Sequence, residues 1–141
     1  MESTNKPVIA ITMGDPCGIG PEIISKSLTE LLHEFNFQPL VLGNFEALEY
    51  AQETINTHIQ FIKIDSVSRI KKLNDNVVPL IDDSNLDFRQ ISPGKISKEA
   101  GSASITWIHH SGELAMNESI HAIVSSPINK EACRLTGNKL I

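Results

Sequence analysis

Three glycines fall within seven residues of the stretch "GDPCGIGPEII", which runs from Gly14 to Ile24. Ahead of them, "VIAITM" reads as a buried strand, and behind them the chain takes up a helical period. Strand, open turn and helix start form a geometry that receives anions. First-turn N–H groups have no internal partner, and the helix dipole places partial positive charge there. Glycines at Gly14, Gly18 and Gly20 permit φ > 0 and let a ligand approach the backbone. Their spacing is not G-x-G-x-x-G, and no G-K-[ST] follows, so a P-loop is excluded. Pro21 also removes one N–H from any cradle. Two readings stay open: a ligand-contacting loop, or a structural turn. Asp15 is likewise an active-site carboxylate or a turn-former whose side chain caps nearby N–H groups. Glu22 suits a first-turn dipole partner better than a base.

A second candidate pair is Asn129 and Lys130, just after Pro127 and the strand-like "HAIVSS". Ligands of open α/β sheets bind at the carboxyl ends of strands, where a lysine could meet a phosphate or carboxylate. The alternative is a solvated first-turn lysine. The two cysteines, Cys17 and Cys133, form neither a disulfide framework nor a ligand spacing. A place near a helix N-terminus could lower the Cys17 pKa, but no basic partner stands nearby in sequence to make it a nucleophile. The five histidines are His33, His58, His109, His110 and His121. Neighbouring His109 and His110 point about 100° apart on a helix and do not readily share a metal. All five read as surface or core filler, and no metal ligand is assigned in this chain.

The elements that must position these groups alternate. Strands are expected at Val8 to Thr12, Pro39 to Leu42, Ile59 to Ile64 and Val77 to Ile81, and in "HAIVSS". Helices are expected from Pro21 to Phe35 and from Phe45 to Glu53, then from an N-cap at Ser97 to about Met116. A last helix, Asn129 to Thr136, closes with Gly137 at C′. Ser66 to Gln90 reads as irregular apart from its one apolar run. Within the long helix Ala100, Ala103, Trp107 and Leu114 share one side, and Ala100, Gly101, Ala103 and Ser104 are small enough for close packing. The alternation predicts a layered α/β fold, helix–sheet–helix, with a mainly parallel sheet.

Composition is that of an ordinary globular domain: 40% hydrophobic and 21% charged, with net charge -5. That charge makes no case for nucleic acid or an anionic membrane as partner. No apolar run approaches the roughly 18 residues of a membrane span, and "MESTNKP" is too polar for a signal peptide. A reducing cytoplasm fits best. "NKLI" begins what reads as a new extended segment, so the chain is expected to be cut from something longer, truncated after Ile141.

"ITMGDPCGIGPEI" closely resembles the N-terminal signature of the 4-hydroxythreonine-4-phosphate dehydrogenase family, NAD-dependent enzymes of pyridoxal phosphate synthesis. Two more islands match in order: "ISPGKISKEAGSASITWI" at 91–108 and "SSPINKEACRLTG" at 125–137. The resemblance spans the chain, with a divergent middle, and extends to the architecture of isocitrate and isopropylmalate dehydrogenases. It implies that residues 1–141 are the N-terminal portion of a two-domain enzyme, with Gly14 to Pro21 bordering the cleft between domains. Gly14, Asp15, Gly18, Ile19 and Gly20 are then the cofactor-binding candidates for NAD, Ile19 matching a residue that lies against the adenine. Asn129 and Lys130 are the substrate-binding candidates, facing a small phosphorylated hydroxy acid. The resemblance also implies a homodimer and a divalent metal held by histidines. Here the chain departs from the family: the metal ligands and the Gly-His-Thr-Glu motif are expected beyond Ile141, so no catalytic residue is assigned. Cys17 stands where the family usually has alanine. The implied reaction passes a hydride from a secondary alcohol to NAD, followed by loss of carbon dioxide from the resulting 3-keto acid. Other readings are the same fold acting on 4-phosphoerythronate or threonate 4-phosphate, and a non-catalytic α/β binding module.

Overall fold

The computed structural model describes residues 5–31, 33–34 and 36–138. Its five strands are β1 (Val8–Thr12), β2 (Gln38–Leu42), β3 (Gln60–Lys63), β4 (Val77–Ile81) and β5 (Ala122–Ser125). They form one sheet in the order β3-β4-β2-β1-β5, and every pairing is parallel. Ala10, Leu40, Val41, Leu42, Val78 and Leu80 are fully buried. Such unbroken apolar runs suit strands covered on both faces.

The helices are α1 (Gly20–Leu31), α2 (Phe45–Ile55), α3 (Lys98–Met116) and α4 (Lys130–Arg134). From β1 the chain crosses by α1 to β2 on one side, while from β4 it crosses by α3 to β5 on the other. Right-handed crossovers in opposite directions place α1 and α3 on opposite faces of the sheet. Accordingly α1 packs with α2, and α3 packs with α4, β1 and β5. The expected layered parallel α/β architecture is the one observed, with the sheet wholly rather than mainly parallel.

Local chemistry sets the boundaries. Asn44 caps α2, its Oδ1 accepting from the Ala47 N–H at 2.9 Å, and Asn56 ends that helix in the left-handed region. The helix therefore runs two residues past the expected Glu53. Ser97 caps α3 as anticipated, its Oγ accepting from the Ala100 N–H. Helix α1 starts one residue early, at Gly20, and ends at Leu31, where Pro21 to Phe35 had been the expectation. Leu32 and Phe35 lie outside the described residues, as do Lys139, Leu140 and Ile141 of "NKLI". Helix α4 is shorter than expected: Asn129 is its N-cap rather than its first turn, and Gly137 (φ +77°) lies beyond its end. Two 3₁₀ turns, Val67–Lys72 and Phe88–Gln90, occupy the stretch read as irregular.

Trp107 is the largest fully buried side chain, on the α3 face predicted to be apolar. Its Nε1 lies 3.4 Å from Asp82 Oδ1 at the end of β4. Asp82 also accepts from the Ser84 N–H and hydroxyl and from Asn44 Nδ2, which locks the β4 exit to the start of α2. At the other end of the sheet, β5 is exposed along its whole length and has no outer neighbour among the described residues. Beside it runs an apolar groove of about 320 Å³, lined by Ile9, Ile11, Ile23, Leu28, Phe37 and Val124 among others.

Candidate nucleotide and substrate cleft

Parallel strands gather all their carboxyl ends on one rim, and the open position on that rim is where neighbouring strands send their chains to opposite faces. In this sheet that pair is β1 and β5: β1 exits toward α1, and β5 exits toward α4 on the far face. The glycine loop leaves β1 there, and residues 126–130 leave β5 beside it.

The two loops are joined directly. Ser126 N–H donates to Thr12 O at 3.0 Å, and Asp15 N–H donates to Pro127 O at 2.9 Å. Gly14 takes φ +71°, and a Cβ there would collide with the carbonyl oxygens of Pro127 and Ser126. No side chain fits that junction. Gly20 is equally confined, since its Cβ would run into the Met13 carbonyl oxygen and come within 3.4 Å of Ser126 Cβ. Behind the loop stands Ser104 of α3, 1% exposed, with Oγ 2.6 Å from Gly14 O and 2.9 Å from Ala100 O. One hydroxyl proton thus serves both carbonyls.

Asp15 closes the turn. Its Oδ1 accepts from the Cys17 N–H at 2.9 Å, the arrangement of a turn-former, one of its two sequence readings. Burial raises its carboxyl above the ordinary range, and the Cys17 N–H opposes that shift. Cys17 is 3% exposed, and its pKa moves opposite to the expectation from a helix N-terminus. Burial first, and the Asp15 carboxylate second, push the thiol up to about 11. The helix field is outweighed because the sulfur has left solvent and faces a carboxylate. Cys133 of α4 is buried and raised for the same two reasons.

The cofactor candidates divide. Gly14, Asp15 and Gly20 are buried and spent on the loop's own construction, whereas Gly18 and Ile19 face solvent, Ile19 with 58% of its surface exposed. This edge has an open backbone and an exposed aliphatic side chain at the start of α1. Pro21 contributes no N–H, so the edge suits the flank of an extended ligand better than a closed phosphate cradle. Across the junction, Asn129 Oδ1 accepts from the Ala132 N–H at 3.0 Å and is committed to capping α4, leaving its Nδ2 as a donor. Lys130 is exposed in the first turn.

Two contributors were missed from sequence. One is Ser104; the other is the Ser92–Lys95 turn, in which Gly94 (φ +83°) donates its N–H to Cys17 O at 2.7 Å and braces the glycine loop from outside. The Pro93–Gly94 pair was the available signal for that turn. The histidines lie apart from the loop. His110 Nδ1 is 2.7 Å from Asp83 Oδ2, and His121 Nδ1 accepts from the Val8 N–H at 2.9 Å. Among the described residues, no three His, Cys, Asp or Glu side chains converge as a metal site.

With that geometry established, comparison with known proteins is specific. The family model for pyridoxal phosphate biosynthetic protein PdxA matches residues 36–141. A 4-hydroxythreonine-4-phosphate dehydrogenase from Trichlorobacter lovleyi is 38% identical over 136 residues, which cover 96% of this chain and 40% of the relative. A Clostridium botulinum relative, provisionally named as a D-threonate 4-phosphate dehydrogenase, is 35% identical and covers 92% of this chain and 39% of its own. The crystal structure of a 4-hydroxythreonine-4-phosphate dehydrogenase from Burkholderia phymatum superposes with a TM-score of 0.85 at 33% identity, over 96% of this chain and 41% of that one. The chain therefore spans about two fifths of the length of the relatives it matches. A model match over more than half of the sequence, with the fold to go with it, places this chain in the PdxA family.

Proposed function

We propose that this chain supplies one wall of the cleft in an NAD-dependent dehydrogenase acting on a phosphorylated hydroxy acid, 4-phosphohydroxy-L-threonine first. The observation that carries the reading is the exposed Gly18–Ile19 edge at the divergence of β1 and β5, on a loop hydrogen-bonded to the β5 exit that leads to Asn129 and Lys130. Ile19 offers an apolar contact to the flat face of a nucleobase, and the start of α1 offers partial positive charge to a pyrophosphate. NAD bound there would supply the hydride acceptor for oxidation of a secondary alcohol. Lys130 would meet the substrate's phosphate or carboxylate, and Asn129 Nδ2 would donate to the same group.

No ligand set for a divalent metal exists among the described residues, so no step is assigned through one here. Decarboxylation is assigned to none of the described residues, and residues 1–141 alone are expected to be inactive. The Clostridium relative's name favours one variant, threonate 4-phosphate as substrate on the same scaffold. Cytoplasmic location and a homodimer complete the reading. No helix among the described residues is long and apolar enough to cross a membrane.

The test is NAD titration of the 141-residue chain followed by backbone NMR. Weak binding is expected, with shifts concentrated at Gly18, Ile19 and the first turn of α1 and no reduced cofactor formed. Absence of shifts at that edge with millimolar NAD would sink the cleft reading. Turnover of substrate by the chain alone would overturn the assignment of chemistry elsewhere.

A further inference from the structure

Nothing in the reading above requires α3, yet α3 touches both walls of the cleft. Ser104 holds Gly14 O, and one turn earlier Gly101 lies against the α4 backbone, where a Cβ would strike the Ala132 carbonyl. Gly14 in turn is packed on the Ser126 and Pro127 carbonyls, next to the Asp15–Pro127 hydrogen bond. We propose that Ser104 is a positioning residue: its shared hydroxyl proton sets the register of the glycine loop against the β5 exit, and so the gap between Ile19 and Lys130. This rests on the cleft reading and deepens it, because Ser104 touches neither ligand.

The physical case turns on what a hydroxyl adds at that point. A buried serine on a helix ordinarily satisfies itself by donating to the carbonyl four residues back, as Ser104 does toward Ala100. A second and shorter contact runs to Gly14, 90 residues away in sequence. Gly14 O is an acceptor on a residue in the left-handed region, where the backbone has other conformations available to it. Removing the hydroxyl leaves a buried carbonyl unpaired, and the loop relaxes toward solvent to satisfy it.

Hydrogen exchange by NMR on the 141-residue chain decides the point. In Ser104→Ala the Asp15 amide should lose at least tenfold of its protection, while the Leu40 and Leu80 amides keep theirs. Ser104→Thr, which retains the hydroxyl, should restore it. In the unaltered chain the Asp15 amide should open together with the Gly101–Ser104 segment, with the same denaturant dependence, rather than with α1; this arm stands even if the alanine variant fails to fold. NAD affinity should fall about tenfold in Ser104→Ala and recover in Ser104→Thr. Unchanged Asp15 protection in the alanine variant, or opening of Asp15 with α1, overturns the proposal. If the unaltered chain binds no NAD, the cleft reading fails, and the exchange data still decide the role of Ser104.

Discussion

At the scale of single residues, the site is governed by what burial does to two ionisable groups. The Cys17 thiol is raised from an ordinary 9.0 to about 11, so its thiolate fraction near pH 8 is lower by about 100-fold. Alkylation of the native chain by iodoacetamide should therefore be slower at Cys17 than at an unfolded cysteine by at least that factor, as mass spectrometry of quenched samples would show. The stability attached to this group is present below the unfolded pKa and is lost as pH rises from 9.0 toward 11. Asp15 follows the same sign. Its folded pKa lies above 3.8, so the native state holds the extra proton between the two values; the associated stability is present below 3.8 and disappears as pH climbs through the folded value. Asp15→Asn keeps the Oδ1 acceptor for Cys17 N–H and removes the buried charge. Urea midpoints should therefore be equal or higher for the variant at pH 7, with the difference closing below pH 4. A large loss at pH 7 would mean that the carboxylate itself is needed.

At the scale of elements, two glycines of one helix make opposing forecasts. Gly112 has nothing within 4 Å of a built Cβ, so Gly112→Ala should gain helix propensity of about 1 kcal/mol. Gly101→Ala gains the same propensity, but its Cβ enters the α4 backbone, 2.7 Å from Cys133 N, and overpacking costs about 1–3 kcal/mol. Chemical denaturation should show the first variant stabilised and the second destabilised. Both helices were legible from composition: small residues at 100–104 announced close packing, though not which helix would approach. The strands read well because parallel strands buried on both faces are written as short apolar runs such as Val77–Ile81. Around that strand, residues 66–76 and 82–90 read only as irregular, because what orders them comes from contacts distant in sequence. Asp82 reaches Asn44 and Trp107, and neither link leaves a local period to find. Ser104 was invisible as a partner of Gly14 for the same reason. The glycine loop was legible as unusual, yet which of its members face outward is set by Met13, Ser126 and Pro127, whose positions only the fold supplies.

At the scale of the molecule, the two edge strands of the sheet differ in what they expose. On the β3 side the sheet ends in the amphipathic strand Gln60–Lys63, whose Lys63 pairs with Glu46 at 3.7 Å and lies over the Phe45 ring. The β5 side exposes Ile123 at 40% and Val124 at 55%, beside the apolar groove against α1. Unpaired edges with apolar side chains invite further strands. The 141-residue chain should self-associate as its concentration rises, and Val124→Lys should reduce that association in sedimentation velocity without lowering the melting temperature by more than a few degrees.

The all-parallel sheet carries a practical corollary. The turns Asn56–Ile59 and Asn117–His121, which lead from helices into strands, lie on the rim opposite the glycine loop. A fluorophore, biotin or surface tether attached at His58 or Glu118 would hold the molecule by its back, with the Ile19 edge turned outward for any soluble compound to reach.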